Sequence, residues 1–575
     1  MKKSDASSAL APSIKNALRK LLLALMFAPC AAFAAEKLPA PVANAAIASA
    51  HPLATQAGYE ILRQGGNAFD AAVAVAAALA VVEPYSSGLG GGGFWLLHRV
   101  RDGKEVMLDA RETAPGKATP ALYLDAQGKV IPKASLRGPQ ATAIPGTPAA
   151  LAHLARHYGK LPLKISLATA MRYARRGFEV DARYISIAQR FQSQLTGAGR
   201  RLFLDYGTLP QPGFMLKQKQ LAATLEMLAS KGAAGFYRGR IAQEMVSAVQ
   251  AGGGIWELND LGNYRVIERA PVKFTYRSLK ITAAPLPSAG GLTLAQSLNI
   301  LSALPFEQAN PETQAHYVVE ALRRAYQDRA RYLGDADFAQ VPIEKLLSKS
   351  YAQARAAGID VQHATPSAQL GELPEPVREG DNTTHFSIVD QDGNRAAATL
   401  SINTPFGSGF VAGNTGVLLN NQMDDFSIAP GVPNAYRLQG FHGNEIAPGK
   451  RPLSSMSPTF AEDEKGILIL GTPGGSRIIS MLLLALLNYT QGAPFSLPAL
   501  LELPRYHHQF LPDRIEIEPK GFSEEWIKNL QARGHTITIS GRRWGNMQAV
   551  YVDKLSGRAE AGNDPRGQGG GLGWY

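Results

Sequence analysis

The chain has 575 residues, of which 45% are hydrophobic and 18% are charged, a composition typical of globular proteins and not of disordered ones. Its length predicts two or more domains. The net charge is +12, and a net +4 within residues 1–34 leaves +8 for the remainder, without long runs of Lys or Arg. Since a nucleic-acid-binding face requires clustered cations, we expect no nucleic-acid partner.

The N-terminus has the three parts of a secretory signal. Arg19 and Lys20 precede the apolar run LLLALMFAPCAAFA, which ends in an A-x-A site at residues 32–34. A membrane anchor is the alternative, but the run is short for a bilayer span. We therefore expect a signal peptide over residues 1–34, export to a bacterial periplasm, and no stable membrane span after its removal.

The cysteine content limits the chemistry of the mature chain. The sequence has one cysteine, Cys30, and it lies inside the predicted signal. A mature chain without thiols has no disulfide, no thiolate metal site and no cysteine nucleophile. Any covalent catalysis would therefore use a Ser or Thr hydroxyl.

The first predicted elements are two helices within residues 51–84. The first ends at Gly65-Gly66, and the second is capped by Asn67 and continues to Pro84. The following stretch, SSGLGGGGFWLLHRV, contains a formal G-x-G-x-x-G but leads into a strand. A dinucleotide fingerprint follows a strand and opens a helix, so we expect these glycines to serve close backbone packing instead.

The remaining chain alternates between helical and strand-rich blocks. Residues 145–260 have mostly helical patterns, residues 263–285 have strand patterns, and residues 289–356 are helical again. Residues 357–382 form a polar, Pro-containing connection, the best candidate for a boundary. Short alternating strands with glycine turns follow. The pattern predicts a mixed α+β protein with sheets covered by helices.

A threonine pair, Thr383 and Thr384, stands where the connection becomes a strand, in DNTTHFSIVDQDGN. If Asp392-Gly393 is a two-residue hairpin loop, Thr383 faces Ile402 on the return strand, with residues 401–403 as its neighbours. Three ordinary interpretations are open: a threonine-rich strand start, an N-glycosylation sequon, or a turn capped by Asn382.

A chemical interpretation of Thr383 is also open. If the chain is cut before Thr383, the freed α-amine has a reference pKa of about 7.7–8.0 and can accept a proton near neutral pH. One residue then supplies both a hydroxyl nucleophile and its base.

The downstream motifs favour the chemical interpretation. TTHFSIVDQDGN, NTPFGSGFVAG, GVLLNNQMDDFS, PGKRPLSSMSPTF, GTPGGSRII and LPRYHHQF occur in this order, after SGLGGGGFWLL and DARETAP. Together they resemble the γ-glutamyltransferase (γ-glutamyl transpeptidase, glutathione hydrolase) family of N-terminal-nucleophile hydrolases, over nearly all of residues 40–575.

The resemblance implies a fold and a reaction. The fold is α+β, an αββα sandwich of stacked antiparallel sheets flanked by helices, shared by a large subunit (35–382) and a small one (383–575). The proenzyme would cut itself between Asn382 and Thr383. Thr383 would then take the γ-glutamyl group from glutathione or a related amide and pass it to water, an amino acid or a dipeptide. The resemblance implies no cofactor and no catalytic metal.

The resemblance also implies site residues. Gly474 and Gly475 would form the oxyanion hole, and Ser401, where many family members carry Thr, would hydrogen-bond the nucleophile. Tyr436 would be the aromatic residue of a lid. The residues implied for donor binding are Arg111, Ser454 and Ser455 at the α-carboxylate, and Asp425, Asn403 and Gln422 at the α-ammonium.

Several neighbouring polar residues are expected to be structural. Thr384 would assist local geometry, and His385 is unnecessary as a base because the α-amine serves. Asp424 need not bind the donor. The adjacent His507 and His508 face opposite ways on a strand, and the chain has no H-E-x-x-H, so a catalytic metal is not expected.

Two other functions compete with this interpretation. One is an acylase of the same architecture that acts on glutaryl-type amides such as cephalosporin side chains. The other is an exported binding protein that never undergoes cleavage. Asp425 and Gln422, which would bind a donor α-amine, argue against the acylase.

Overall fold

The computed structural model of the chain describes residues 45–371, 382–428, 432, 434, 435, 438, 442–491 and 495–573. The predicted signal peptide, residues 1–34, lies outside the described residues. In chain order, the strands are β1 (Ala46–Ser49), β2 (Gly92–Arg99), β3 (Lys104–Ala110), β4 (Phe178–Glu179), β5 (Met215–Leu216), β6 (Ile267–Arg269), β7 (Val272–Tyr276), β8 (Leu279–Ala283), β9 (Thr384–Val389), β10 (Arg395–Ser401), β11 (Thr459–Glu462), β12 (Gly466–Gly471), β13 (Tyr506–His507), β14 (Ile515–Ile517), β15 (Ile537–Ile539), β16 (Gln548–Asp553), β17 (Ala559–Asn563) and β18 (Gly570–Gly573).

The α-helices lie between these strands along the chain. In chain order, they are α1 (Pro52–Arg63), α2 (Ala68–Val82), α3 (Thr147–His157), α4 (Leu163–Arg176), α5 (Ala182–Phe191), α6 (Gly197–Phe203), α7 (Lys219–Lys231), α8 (Ala234–Tyr237), α9 (Gly239–Ala251), α10 (Leu258–Asn263), α11 (Gly290–Ser302), α12 (Pro311–Tyr332), α13 (Ile343–Leu347), α14 (Lys349–Ala357), α15 (Ser367–Leu370), α16 (Arg477–Tyr489), α17 (Leu497–Glu502) and α18 (Glu524–Ala532).

Two antiparallel sheets form the centre of the molecule. The seven-stranded sheet has the order β18-β1-β9-β10-β2-β3-β6, and the six-stranded sheet has the order β17-β16-β12-β11-β8-β7. On β9, Phe386 and Ile388 point into a core shared with helices α1 to α9, whereas Val389 points into a second core shared with the six-stranded sheet and helices α11, α12 and α16. The layers are therefore helix, sheet, sheet and helix, the predicted αββα sandwich.

The two helices predicted within residues 51–84 are confirmed as α1 and α2. The Asn67 side chain accepts hydrogen bonds from the backbone N–H groups of Phe69 and Asp70, both at 3.0 Å, and Asp70 accepts one from Asn67 in return. This capping box satisfies amide groups that would otherwise have no partner at the helix start. The helical and strand-rich blocks predicted over residues 145–356 are also confirmed.

The hairpin after Thr383 differs from the predicted one by one residue. Arg395 pairs with Val389 and Leu400 with Thr384, so Thr383 lies across from Ser401 and not from Ile402. The Gly393 N–H donates to the Asp390 carbonyl, and Gly393 has a φ of 88°. The loop therefore has three residues, with glycine in the left-handed conformation that such loops favour.

The connection 357–382 does not separate two folding domains. Strands before it (β1, β2, β3) and after it (β9, β10) lie in the same seven-stranded sheet. The described residues from 45 onward belong to one compact unit. Within the described residues, no helix is both long and apolar enough to cross a membrane.

Candidate active site

Thr383 lies directly before β9, beside the end of β10. Its hydroxyl is 3.2 Å from the Ser401 hydroxyl, and Ser401 also accepts a hydrogen bond from the Asn403 backbone N–H at 2.9 Å. Thr383 is buried and has a φ of 136°. A β-branched residue with positive φ is a strained one, so the peptide bond between Asn382 and Thr383 lies at a strained position.

The glycine-rich segment before β2 brings another backbone against Ser401. A Cβ atom on Gly91 would lie 2.2 Å from the Ser401 carbonyl oxygen, and one on Gly90 would lie 2.0 Å from the Leu418 carbonyl oxygen. Only glycine permits these approaches. The predicted role of these glycines in close backbone packing is confirmed.

The turn after helix α2 contacts the residues on both sides of the Asn382–Thr383 bond. The Thr384 hydroxyl donates to Glu83 Oε2 at 2.7 Å. On the other side, the Ser86 hydroxyl donates to Asn382 Oδ1 at 3.2 Å, and the Asn382 amide donates to the Tyr85 carbonyl. Burial raises the pKa of Glu83. Sequence reasoning missed Glu83 and Ser86.

The segment GTPGGSR forms the loop between β12 and helix α16. Gly474 has a φ of 140° and Gly475 a φ of 57°, and a Cβ on Gly474 would lie 2.7 Å from the Met481 methyl group. The loop ends at the helix N-terminus, where backbone N–H groups and the helix dipole favour negative charge. This geometry suits the oxyanion-hole role that the resemblance implies for both glycines.

A small cavity next to Thr383 brings most of the predicted donor-binding residues together. Its volume is about 20 Å³, roughly the room that one water needs, so an acyl group requires the cavity to widen. Among the described residues that line it are Thr383, Ser401, Asn403, Gln422, Asp425, Ser454, Ser455 and Gly475.

Arg111 meets this cavity through Asp425. The Arg111 side chain is fully buried, and its Nη2 atom donates to Asp425 Oδ2 at 2.5 Å. Gln422 Nε2 donates to the same oxygen at 3.2 Å, and Asn434 Nδ2 donates to Oδ1 at 3.2 Å. Burial raises the pKa of Asp425, and the Arg111 guanidinium opposes that shift.

The neighbouring carboxylate, Asp424, points away from the small cavity. Ser135 donates to Asp424 Oδ1 at 2.6 Å, and the backbone N–H of Ala435 donates to Oδ2 at 2.8 Å. Burial raises the pKa of Asp424 to about 7. Asp424 is absent from the described residues that line the cavity.

Arg329 is a cavity residue that sequence reasoning missed. It is buried on helix α12 and lines the small cavity, and its Nη2 atom lies 3.4 Å from the Ser455 hydroxyl. Its Nε atom has no hydrogen-bond partner among the described residues. Burial lowers the pKa of Arg329 to about 10, which leaves it charged at neutral pH. It is a second cation available to a donor carboxylate.

The predicted serine pair and the predicted lid residue have different outcomes. Ser454 and Ser455 both line the cavity, and the Ser454 hydroxyl accepts a hydrogen bond from the Met456 N–H at 3.1 Å. Tyr436 lies outside the described residues. Leu438, from the same part of the sequence, lines the cavity.

A second and larger cavity also reaches Thr383. Its volume is about 330 Å³, and its lining includes Asn382, Thr383 and Gly474. Gly475 lines the small cavity and Gly474 the large one, so the oxyanion-hole candidates stand between the two.

The histidines near the site are held by structural hydrogen bonds. His385 Nδ1 is 2.8 Å from the Thr399 hydroxyl and Nε2 is 3.1 Å from the Ser387 hydroxyl, and burial lowers the pKa of His385 to about 3. His507 contacts Ser480, whereas His508 contacts Asp513.

A cluster of His316, Glu320 and His535 has the spacing of a metal site. However, His316 Nδ1 and His535 Nε2 hydrogen-bond each other at 2.8 Å, and Glu320 is paired with Arg323 at 3.2 Å. His316 Nδ1, His535 Nε2 and the Glu320 carboxylate therefore already have protein partners. None of the three lies among the described residues lining either cavity beside Thr383.

Comparisons with known proteins show which family the chain resembles. A family model described as gamma-glutamyltranspeptidase matches residues 54–574. The glutathione hydrolase proenzyme of Escherichia coli (strain K12) is 40% identical over 526 residues, which cover 90% of each chain. The acylase ACY 1 proenzyme of Pseudomonas sp. (strain V22) is 35% identical over 537 residues, 90% of this chain and 91% of that one. The crystal structure of cephalosporin acylase from Bacillus halodurans superimposes with a TM-score of 0.81 at 29% identity, covering 96% of this chain and 99% of that chain.

Proposed function

The chain belongs to the gamma-glutamyltranspeptidase family, and from this membership we propose that it is an exported, self-cleaving γ-glutamyltransferase with Thr383 as its nucleophile. The observation that carries the proposal is the position of the Thr383 hydroxyl. It lies 3.2 Å from Ser401, adjoins the glycine pair after β12, and lines two cavities that lead away from it.

The first reaction is the cleavage of the precursor. The Thr383 hydroxyl oxygen attacks the Asn382 carbonyl carbon, the peptide C–N bond breaks, and the Thr383 nitrogen takes the proton. Water then hydrolyses the resulting ester, which leaves a carboxylate on Asn382 and a free hydroxyl and α-amine on Thr383. The strained φ of Thr383 and the contacts of Asn382 and Thr384 with residues 83–86 favour this step.

The second reaction is acyl transfer. The α-amine of Thr383 takes the proton from its own hydroxyl, and the oxygen attacks the γ-carbonyl carbon of the donor. Backbone N–H groups of Gly474 and Gly475 stabilise the oxyanion, and the departing amine takes the proton. Water or the amine of an amino acid or dipeptide then attacks the γ-glutamyl ester and restores the hydroxyl.

The small cavity suits the α-amino acid end of a γ-glutamyl group. Asp425, aided by Gln422 and Asn403, would bind the α-ammonium. Arg111, Arg329, Ser454 and Ser455 would bind the α-carboxylate, since guanidinium groups match carboxylates in charge and geometry.

Two measurements test the proposal. On a denaturing gel the wild-type chain should give two bands, the smaller beginning with Thr383, and should release p-nitroaniline from γ-glutamyl-p-nitroanilide, faster with glycylglycine. Thr383→Ala should remain one inactive band, whereas Thr119→Ala, at an exposed loop position, should behave as wild type. An uncut wild-type chain, or activity in Thr383→Ala, would contradict the proposal.

The acylase is a second candidate because acylases are among the relatives and structural neighbours. A glutaryl amide lacks the α-ammonium group, so it would leave buried Asp425 with no cation other than its arginine partners. We therefore expect γ-glutamyl-p-nitroanilide to be hydrolysed faster than glutaryl-p-nitroanilide. The reverse preference would favour the acylase.

A further inference from the structure

The oxyanion-hole candidates lie in a loop whose own residues do not fix its conformation. Gly474 and Gly475 both have positive φ values, 140° and 57°, and glycine adopts such conformations and many others at little steric cost. Backbone N–H groups stabilise an oxyanion only if they already point to the place where the negative charge develops. The loop between β12 and α16 therefore needs contacts from outside that hold these two peptide groups in one orientation.

The start of the loop is held by residues of the predicted small subunit. The Thr472 hydroxyl donates to the Pro473 carbonyl at 2.9 Å, and it accepts a hydrogen bond from the Asn546 backbone N–H at 3.3 Å. Thr472 thus connects the peptide group before Gly474 to a neighbouring segment of the chain.

The end of the loop is held through Arg477, the first residue of α16. Its Nε and Nη2 atoms donate to Glu516 Oε2 at 3.1 and 2.8 Å, and its guanidinium lies over the Trp544 ring, 5.0 Å from the centroid. The backbone N–H of Arg477 donates to the Gly474 carbonyl at 3.1 Å. Glu516 and Trp544 therefore hold the residue that closes the turn around the glycine pair.

Tyr326 adds a contact from the predicted large subunit. It lies on helix α12, and its hydroxyl donates to the carbonyl of Ser476, the residue directly after the glycine pair. Tyr326 is buried, and burial raises its pKa, so the hydroxyl stays a donor at neutral pH. Its ring packs edge-to-face against His507, with the centroids 5.8 Å apart, and His507 Nδ1 lies 2.8 Å from the Ser480 hydroxyl of α16. The hydroxyl is therefore fixed against the loop by packing on its own ring.

Tyr326 reaches the site only through this loop. It is absent from the described residues that line either cavity beside Thr383. Arg329, three residues later on the same helix, lines the small cavity. Residues at this spacing are neighbours on a helix surface. One side of α12 therefore contacts the proposed donor-binding cavity with Arg329 and the oxyanion loop with Tyr326.

We propose that Tyr326 is a positioning residue for the oxyanion hole. Its hydroxyl holds the Ser476 carbonyl, so that the N–H groups of the preceding glycine pair point at the oxyanion formed on the γ-carbonyl of the donor. The inference rests on the proposed function, because it assigns a support to the oxyanion hole of that reaction. A residue that acts in this way stabilises the transition state and not the bound donor.

Tyr326→Phe tests the inference because it removes the hydroxyl and keeps the ring against His507. Acylation and deacylation both pass through an oxyanion, so both should slow. We expect kcat for γ-glutamyl-p-nitroanilide, per cleaved molecule, to fall about tenfold, less than the roughly 10²–10³-fold loss on removing an oxyanion-hole donor itself. The KM should change by less than about twofold, since the α-amino acid end of the donor keeps its contacts. Tyr317→Phe, the same change at another buried tyrosine of α12, should leave both constants unchanged.

A boronic acid analogue of the donor gives a second measurement. 2-Amino-4-boronobutanoate retains the α-amino acid end, and its boron would bond to the Thr383 oxygen and form a tetrahedral adduct that resembles the transition state. In Tyr326→Phe its inhibition constant should rise by about the same factor as kcat/KM falls. A purely structural Tyr326 would instead lower the Tm and the yield of cleaved enzyme, with kcat per cleaved molecule and the inhibition constant unchanged, and that result would overturn the inference.

The outcomes also separate this inference from the proposed function. An active wild-type enzyme, with an unchanged kcat or a rise in KM alone in Tyr326→Phe, would overturn the role of Tyr326 and leave the proposed function intact. A wild-type chain that does not cleave γ-glutamyl-p-nitroanilide would overturn the proposed function, and this inference with it.

Discussion

The hydroxyl of Thr384 donates a 2.7 Å hydrogen bond to Glu83, a buried carboxylate that follows helix α2 about three hundred residues earlier in the chain. Tyr85 donates to the other oxygen of Glu83 at 3.2 Å. Because Thr384 is bonded covalently to Thr383, this contact fixes one side of the proposed cleavage site. The residue after the proposed nucleophile is therefore oriented by a part of the chain that belongs to the predicted large subunit.

Loss of the Glu83 contact should slow both reactions. Thr384→Val removes the hydroxyl while keeping the shape, and it leaves the buried Glu83 oxygen without its donor, at a cost of about 1–3 kcal/mol. We expect slower precursor cleavage and lower turnover of γ-glutamyl-p-nitroanilide. Thr384→Ser keeps the hydroxyl and should retain most of both rates. Equal behaviour of the two variants would remove Glu83 from the positioning of Thr383.

Contacts on the other side of the cleaved bond should affect cleavage alone. Asn382 interacts with Ser86 and with the Tyr85 carbonyl, and Asn382 is no longer joined to Thr383 once the chain is cut. Asn382→Ala should slow the disappearance of the precursor on a gel several-fold. The kcat per cleaved molecule, measured after active-site titration, should match that of wild type. A parallel loss of kcat would mean that Asn382 acts in the mature enzyme too.

Ser401 should contribute to both steps through its hydroxyl. Ser401→Ala removes the group 3.2 Å from the Thr383 hydroxyl and the acceptor for the Asn403 N–H. Loss of one such neutral hydrogen bond is worth about 0.5–1.5 kcal/mol, or roughly two- to tenfold in cleavage and turnover. Ser401→Thr retains the hydroxyl and stiffens its rotamer, so its rates should be close to wild type or higher.

Much of the fold and part of the site could be predicted from sequence. Helices α1 and α2 carry local signals, a cap and a glycine stop, so their bounds were predictable. The partner of Thr383 was predicted one residue away, at Ile402, because DQDG is compatible with a two- or a three-residue loop. In the folded chain, Gly393 adopts the left-handed conformation of a three-residue loop, and this loop length places Ser401 across from Thr383.

Glu83 and Arg329 were missed because their roles depend on contacts distant in sequence. Weak signals do exist for both. Glu83 places a negative charge at the C-terminal end of a fully buried helix, where the helix dipole disfavours it unless a donor is present. Arg329 follows Leu322 and Tyr326 on one buried face of α12, where an unpaired arginine would be costly.

Glu112 should make the stability of the precursor depend on pH. Both its carboxylate oxygens are buried without hydrogen bonds among the described residues, and burial raises the pKa of Glu112 from 4.5 to about 7. Between these values the folded chain binds more protons than the unfolded one, so this residue's contribution to stability is lost as pH rises from 4.5 to about 7. The loss is on the order of 3 kcal/mol.

Glu112→Gln replaces the titrating carboxyl group with a neutral amide, so comparing its Tm with that of its parent tests this prediction. In the Thr383→Ala background, which keeps the chain uncut, the Tm difference between Glu112→Gln and its parent should become more positive from pH 4.5 to 7 and then level off. A Tm difference that is constant over this range would show that Glu112 is not held in its protonated form by folding.

Arg329 should bind the donor in the small cavity that Asp425 also lines. The residue is buried, charged and in contact with Ser455, and it lines the small cavity directly, whereas Arg111 reaches it through Asp425. Arg329→Gln should therefore raise the KM for γ-glutamyl-p-nitroanilide by about tenfold or more, the value of one charge-assisted hydrogen bond. Arg329→Lys keeps the charge but not the paired geometry, and it should show an intermediate KM.

A purely structural Arg329 predicts another pattern. Its replacement would then lower the Tm and the yield of cleaved enzyme but leave the KM of the surviving active sites unchanged. The informative comparison uses a donor without the α-carboxylate, such as a 4-aminobutyryl anilide. The two donors differ by the α-carboxylate. If Arg329 binds that carboxylate, Arg329→Gln should lose most of the wild-type preference for γ-glutamyl-p-nitroanilide over this donor, because the cation that binds the α-carboxylate has been removed.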